Sequence, residues 1–336
     1  MRAVRFVDHH SPLELFQPDI DIPLPGPGEV AIRVRHCGIC GSDLHLATEP
    51  QFKVQPGSVL GHEYSGEIVA CGESVESLRA GMKVAVIPVA SCGRCGACLA
   101  GRPADCAQKR LVSGGFADYA VVSAAQCVPL PDHFPTEHGA LVEPLSVGLH
   151  GVAKAGLEPG ARVIVIGAGP IGLVTAYWAR RFGAARIAVT ASSSRKADLA
   201  LQLGADAFLA PDRLDATSVA DALGGPPDVV FECAGKAGLI DKGIQLIRRG
   251  GTVVGLGLIT EPDTLDSLGA MRKEARIQMA GYFTVGEFRA SVAALAQDGA
   301  TVARMITGRI PLDALPETFE ELKRGKNHCK VMVEMA

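Results

Sequence analysis

The chain has 336 residues, 48% of them hydrophobic, with a formal net charge of −3 and a mean hydropathy of +0.22. That length fills two domains of ordinary size, and that apolar content excludes a disordered chain. The small negative charge leaves no electrostatic footprint for nucleic acid, and the Met1 end lacks the basic start and apolar stretch of a signal peptide.

Residues 1 to about 147 read as mostly β structure. Pro23, Pro25, Gly26, Pro27 and Gly28 form a loop. Val30, Ile32 and Val34 then alternate with Ala31, Arg33 and Arg35, the period of a strand. Directly behind it comes Cys37-Gly38-Ile39-Cys40-Gly41-Ser42-Asp43-Leu44-His45. Cys40 offers a thiolate, Ser42 a hydroxyl and His45 an imidazole. Gly61-His62-Glu63 adds an imidazole beside a carboxylate, and Val142-Glu143-Pro144 adds a lone carboxylate. Ser65–Ala70 and Met82–Ile87 are further short strands between glycine turns.

Borderline-soft Zn²⁺ takes such a mixture of S, N and O donors, and a catalytic zinc centre uses about three protein ligands while keeping one position open. Ser42 and His45 are close enough to Cys40 to line a proton path away from that centre. Taken singly, Cys37 and Cys40 read more simply as buried small hydrophobes, and His62-Glu63 as a surface pair. The set, not any one member, points to metal.

Four of the ten cysteines crowd into Cys92, Cys95, Cys98 and Cys106. A secreted disulfide scaffold is smaller and richer in cysteine, so a cytosolic enzyme holding metal fits better. Four thiolates at this spacing close a tetrahedral shell with no open position, which makes the expected zinc structural. An iron–sulfur cluster is the rival, but its signature adds a further close cysteine and a following proline that this stretch lacks.

From about 148 to 284 the rhythm becomes strand, helix, strand. Val163–Ile166, Arg186–Thr190, Asp228–Glu232 and Thr252–Leu256 read as strands, with helices over Arg195–Leu203 and Ala237–Arg248. That alternation predicts a parallel sheet with helices on both faces. The uncharged run Val163 to Ala179 reaches only the lower limit of about 17 residues for a membrane span. Gly167, Gly169 and Pro170 break it into buried strand, turn and helix.

Gly167-Ala168-Gly169-Pro170-Ile171-Gly172 follows that strand and opens that helix, the context in which a Gly-x-Gly-x-x-Gly run binds a dinucleotide. Its helix N-terminus then stabilises the phosphates. An acidic residue about 20 positions on would accept the adenosine ribose hydroxyls. That position is Ala191, followed by Ser192, Ser193, Ser194, Arg195 and Lys196. Hydroxyls and cations without a carboxylate favour NADP over NAD. The competing reading is that Arg195 and Lys196 simply begin a solvated helix. Past about 285 the chain returns to a tail with helices at Glu287–Gln297 and Leu312–Lys323 and a strand at Lys330–Glu334.

The Gly-Ile-Cys-Gly-Ser-Asp-Leu-His and Gly-His-Glu runs, the cysteine lobe and the glycine turn together resemble the zinc-dependent medium-chain dehydrogenases over nearly the whole chain. Glu143 in Glu143-Pro144-Leu145-Ser146-Val147 places the resemblance in the sorbitol, idonate and threonine dehydrogenase branch. The resemblance implies an α/β chain: a GroES-like β-rich catalytic domain over 1–147 and 285–336 with two zinc sites, and an inserted Rossmann domain over 148–284. It implies reversible hydride transfer between a secondary alcohol or polyol and NAD(P). Cys40 and His62 would hold the catalytic zinc, and Glu63 and Glu143 would supply ligands or hold its water. Asp43 would orient a ligand. Ser42, with His45 behind it, would carry the proton outward. A cytoplasmic homodimer or homotetramer acting on a small alcohol, with no nucleic-acid or membrane partner, is the implied setting.

Two features depart from the family pattern. NAD-preferring polyol dehydrogenases carry an aspartate where Ala191 stands, and the stretch between Cys106 and Gly114 is shorter than in relatives. Leu46 and Phe52, candidates for the substrate side, are not polar enough to demand a sugar. Two other classes stay open at this point: a zinc-free quinone or enone reductase on the same fold, and a non-enzymatic nucleotide-binding protein.

Overall fold

A computed structural model describes residues 1–16, 23–325 and 328–336. The chain forms two compact units, Met1–Glu143 with Thr284–Ala336, and Pro144–Phe283.

The first unit is built on a seven-stranded sheet. Its path runs Ile306–Pro311, Lys330–Glu334, Glu29–Gly38, Glu63–Cys71, Lys83–Val86 and Cys127–Pro129, and Tyr119–Ser123 also pairs with Glu29–Gly38. The tail strand Lys330–Glu334 lies antiparallel to Glu29–Gly38, with Met332 opposite Gly38 and Val333 opposite Cys37. The chain's last strand is therefore built into the same sheet as Glu29–Gly38, the strand that leads to Cys40, while Ala3–Phe6 and Leu13–Phe16 pair in a separate two-stranded sheet. Val30, Ile32, Val34, Ile68, Val84, Phe116, Val331 and Val333 fill its core. Fully burying one such side chain contributes roughly 1.5–3 kcal/mol.

The second unit holds six parallel strands. In chain order they are Arg162–Ile166, Arg186–Thr190, Ala207–Leu209, Val229–Glu232, Thr252–Gly255 and Arg276–Met279. Their spatial order is third, second, first, fourth, fifth, sixth. This is the doubly wound order, with a switch point between the first and fourth strands where dinucleotides bind. The run from Val163 to Ala179 resolves into the first strand, the glycine turn and the helix Pro170–Arg181, as its glycines imply. Among the described residues no helix is long and apolar enough to cross a membrane.

Element ends differ from the sequence reading for local reasons. The helix expected over 195–203 divides into a 3₁₀ turn, Ser194–Lys196, and the helix Ala197–Gln202. Lys196, at φ −109° and ψ 16°, leaves the helical region between them. The helix expected from Ala237 starts at Leu239, because Gly238 precedes it in the left-handed region at φ +81°. The helix expected over 287–297 starts two residues earlier, at Val285, and breaks at Asp298 (φ −138°, ψ 29°), beyond which a further helical stretch runs to Ala303. Thr284 caps it, its Oγ1 accepting the Glu287 N–H while Glu287 Oε2 accepts the Thr284 N–H.

Candidate active site, metal centres and nucleotide turn

The strand Glu29–Gly38 delivers the chain to Cys40, which caps the helix Gly41–Thr48. Asp43, wholly buried in the first turn, uses its two oxygens separately. Oδ2 accepts the Cys40 N–H at 2.9 Å, satisfying a helix-end donor. Oδ1 accepts the Gly61 N–H at 3.3 Å and stands 3.2 Å from His62 Nδ1. An ionised carboxylate only accepts, so Nδ1 carries a ring proton and Nε2 is the nitrogen left to bind metal once its own proton is displaced. Burial alone would push the His62 imidazole pKa down, yet the Asp43 carboxylate outweighs it and holds the metal-free ring well above its usual value. Gly61 turns the chain at φ +81°, where a Cβ would come within 2.9 Å of Cys37 Sγ and closer still to the Phe116 ring.

Cys40, His62 and Glu63 each bring one donor atom within 4.8 Å of the others. Thiolate, imidazole and carboxylate at that separation fit a zinc ion. Ser42 Oγ lies 3.5 Å from His62 Nε2, on the same side as the donors. His45 is one turn further along the helix, 37% exposed, with Nδ1 2.5 Å from Glu49 Oε1. Cys37 is a core residue, buried among Tyr64, Phe116 and their neighbours, as the simpler reading had it.

Glu63 opens its strand with no exposure, and Lys330 Nζ donates to its Oε1 at 2.7 Å. Lys330 also donates to the Ile39 carbonyl at 3.0 Å. Sequence reasoning missed this lysine. The available signal was a cation opening the apolar run Val331-Met332-Val333, a burial that only pairing makes tolerable. It also missed Glu49, whose spacing from His45 is that of neighbours on one helix face. Glu143 begins at the helix Val142–Ala155 and lies outside the three-donor group. Burial pushes its carboxyl up to about 7; His62 opposes that rise and Glu63 adds to it.

The other cysteine group is equally compact. One sulfur each from Cys92, Cys95, Cys98 and Cys106 lie within 4.8 Å of one another, and all are free thiols. The short helix Gly96–Leu99 and the 3₁₀ turn Pro103–Asp105 set their spacing. The backbone N–H groups of Arg94 and Cys95 pull the Cys92 thiol down to about 6, toward the thiolate that binds metal.

In the parallel sheet, Gly167 takes φ +114° and Gly169 caps the helix with Pro170 at its first position. A Cβ on Gly172 would overlap the Gly167 carbonyl oxygen, whereas one on Gly169 would meet nothing within 4 Å. The turn is thus tight on its inner side and open above the helix N-terminus, where Ile171 is half-buried. Gly167 N donates to the Thr190 carbonyl at 2.7 Å, which brings the turn beside Ala191. Ala191 is half-buried, Ser192 is exposed, Arg195 Nε donates to Ser193 Oγ at 3.3 Å and Lys196 is half-buried.

Residues 26–132 match the family model described as Alcohol dehydrogenase GroES-like domain, and residues 170–298 match Zinc-binding dehydrogenase. The chain is 36% identical to the sorbitol dehydrogenase of Homo sapiens over 346 aligned residues, 97% of this chain and 94% of that protein. The chain belongs to the zinc-dependent medium-chain dehydrogenases, in the sorbitol dehydrogenase-like branch. This dehydrogenase superposes on a Sinorhizobium meliloti 1021 structure described as a zinc-binding dehydrogenase bound to NADP, with a TM-score of 0.89, 34% identity and coverage of 99% and 98%. A structure from E. coli CFT073, described as a short chain alcohol dehydrogenase complexed with NADH, gives a TM-score of 0.89 at 26% identity and covers 99% of both chains. The enzyme is an NAD(P)-dependent alcohol or polyol oxidoreductase of the zinc-dependent class. Of the three readings the sequence left open, this is the one that the comparisons support.

Proposed function

We propose that this enzyme oxidises a secondary alcohol or polyol reversibly with NADP, using one zinc at Cys40, His62 and Glu63, with Glu143 nearby, and a second, structural zinc at the four cysteines. We assign the catalytic domain to 1–147 and 285–336 and the nucleotide domain to 148–284. The observation that carries this reading is the three-donor group of Cys40, His62 and Glu63. Zinc bound there supplies Lewis-acid polarisation of the alcohol oxygen.

The chain's own residues do the rest. Asp43 fixes the His62 tautomer so that Nε2 faces the metal position. Lys330 holds both oxygens of Glu63, which limits how freely that carboxylate can turn. Ser42 Oγ accepts the alcohol proton as its own hydroxyl proton leaves toward His45, and His45, partly exposed and held by Glu49, takes that proton and releases it to water. Gly167, Gly169, Pro170, Ile171 and Gly172 cradle the pyrophosphate at the helix N-terminus. Ala191 leaves room for a 2′-phosphate that Ser192, Arg195 and Lys196 can bind. One similar structure holds NADP and another NADH, so the preference rests on the missing carboxylate at Ala191 and the cations beside it.

A homodimer or homotetramer in the cytoplasm is the setting we infer from family likeness. An activity screen of polyols, aldonates, amino-alcohols and simple secondary alcohols against both NAD and NADP tests the reading. Turnover of at least one of these classes supports it, and none with either dinucleotide would overturn it.

A further inference from the structure

Glu232 ends the fourth parallel strand with no exposure, on the fourth-strand side of the switch point. Ile166, the last residue before the glycine turn, is its register partner on one side, and Gly255 on the other. A carboxylate buried in an otherwise apolar strand needs partners. Oε1 accepts two backbone N–H groups, those of Ala234 and Gly235, both at 2.8 Å. Oε2 accepts no hydrogen bond of ordinary geometry and points at Gly257, where an added Cβ would lie 2.6 Å away. One side chain thus ties the segment after the fourth strand and faces the segment after the fifth.

That tied segment packs on the glycine turn. Cys233 N donates to the Ile166 carbonyl at 2.8 Å, and a Cβ on Gly167 would sit 2.8 Å from Ala234 N. Gly235 takes φ +65°, so the chain turns sharply while Oε1 holds its N–H inward. In a doubly wound sheet the first half takes one mononucleotide and the second half, which begins with the fourth strand, takes the other. The glycine turn and Ala191 belong to the adenosine side. The segment tied by Glu232 is therefore the near edge of the nicotinamide side.

We infer that Glu232 is a positioning residue for the dinucleotide: by accepting the Ala234 and Gly235 N–H groups it fixes the backbone wall against which the nicotinamide half binds. This rests on the dehydrogenase reading above. The acceptor at Oε1 is what matters. Burial raises the Glu232 carboxyl pKa, with the backbone N–H groups opposing the rise. A neutral amide of the same length can accept the same two bonds.

The test is a fluorescence titration of the zinc-loaded enzyme with NADH and with NADPH, alongside thermal unfolding and the alcohol KM at saturating dinucleotide. Glu232→Ala is expected to raise the Kd of both dinucleotides about ten-fold or more while the alcohol KM stays unchanged. Glu232→Gln is expected to bring Kd back to within about three-fold of wild type. If Glu232→Ala unfolds, Glu232→Asp, which pulls Oε1 away by one methylene, carries the test with a smaller rise in Kd. Unchanged Kd with lowered thermal stability would make the role structural only and overturn the inference. Loss in Glu232→Gln equal to that in Glu232→Ala would overturn it too. Failure of the wild type to bind either dinucleotide would instead sink the underlying dehydrogenase reading.

Discussion

Lys330 Nζ lies 2.7 Å from Glu63 Oε1, and both side chains are 1% exposed. The pair joins the start of the last strand to the start of the strand that carries Glu63, and Lys330 adds a bond to the Ile39 carbonyl beside Cys40. Removing one partner of a buried pair leaves an uncompensated charge and costs about 3–5 kcal/mol. Lys330→Met is expected to lose that much stability in urea unfolding. The double variant Lys330→Met/Glu63→Gln should recover a large part of it, since no charge is then left alone. Full stability in Lys330→Met would contradict the pairing.

Asp43 links helix capping to the orientation of His62. Asp43→Asn keeps the size but offers an amide that can present its N–H₂ to Nδ1, which disfavours the Nδ1–H tautomer. Groups that orient a metal-binding histidine are worth about 10–100-fold in metal affinity. Asp43→Asn should therefore release one zinc per chain to a competing chelator at a concentration that wild type withstands. Equal retention by the two proteins would remove Asp43 from ligand orientation.

This outcome separates what could be read in the chain from what could not. Cys40, Asp43 and His62 were legible because one local run and one Gly-His-Glu triplet carry them, and each residue type has a chemistry of its own. The glycine turn was legible because strand, turn and helix are contiguous. Lys330 was not, because it meets Glu63 across 267 positions of chain and nothing local marks it except a cation heading an apolar strand. Glu232 was hidden in the same way, as the last residue of a strand whose other members are Val229, Val230 and Phe231. Helix ends were misplaced where a single backbone angle decides, as at Gly238 and Lys196.

His45 tests the proton path. His45→Gln keeps a polar side chain on the helix but cannot take a proton. Alcohol oxidation should fall roughly ten- to a hundred-fold near neutral pH, the range that general acid–base groups contribute. It should recover at high pH, where hydroxide takes the proton directly. A pH–rate profile superimposable on the wild type would place the path elsewhere.

The cofactor preference should turn on Ala191. A charge-assisted hydrogen bond contributes about 1.5–3 kcal/mol before screening, and each 1.4 kcal/mol is about a factor of ten. The expected wild-type preference for NADP is about ten-fold or more in kcat/KM. Ala191→Asp should reverse it, by repelling the 2′-phosphate and accepting the free ribose hydroxyls. A wild type that prefers NAD would mean that Arg195 and Lys196 belong to solvent.

The most direct measurement is zinc per chain, by elemental analysis, together with alcohol turnover in wild type and Cys40→Ser. The expected result is two zincs and turnover in the wild type, and one zinc, a folded chain and no turnover in Cys40→Ser. Wild-type activity in Cys40→Ser, or a zinc content in Cys40→Ser equal to that of the wild type, would contradict the assignment of Cys40, His62 and Glu63 as the catalytic metal centre.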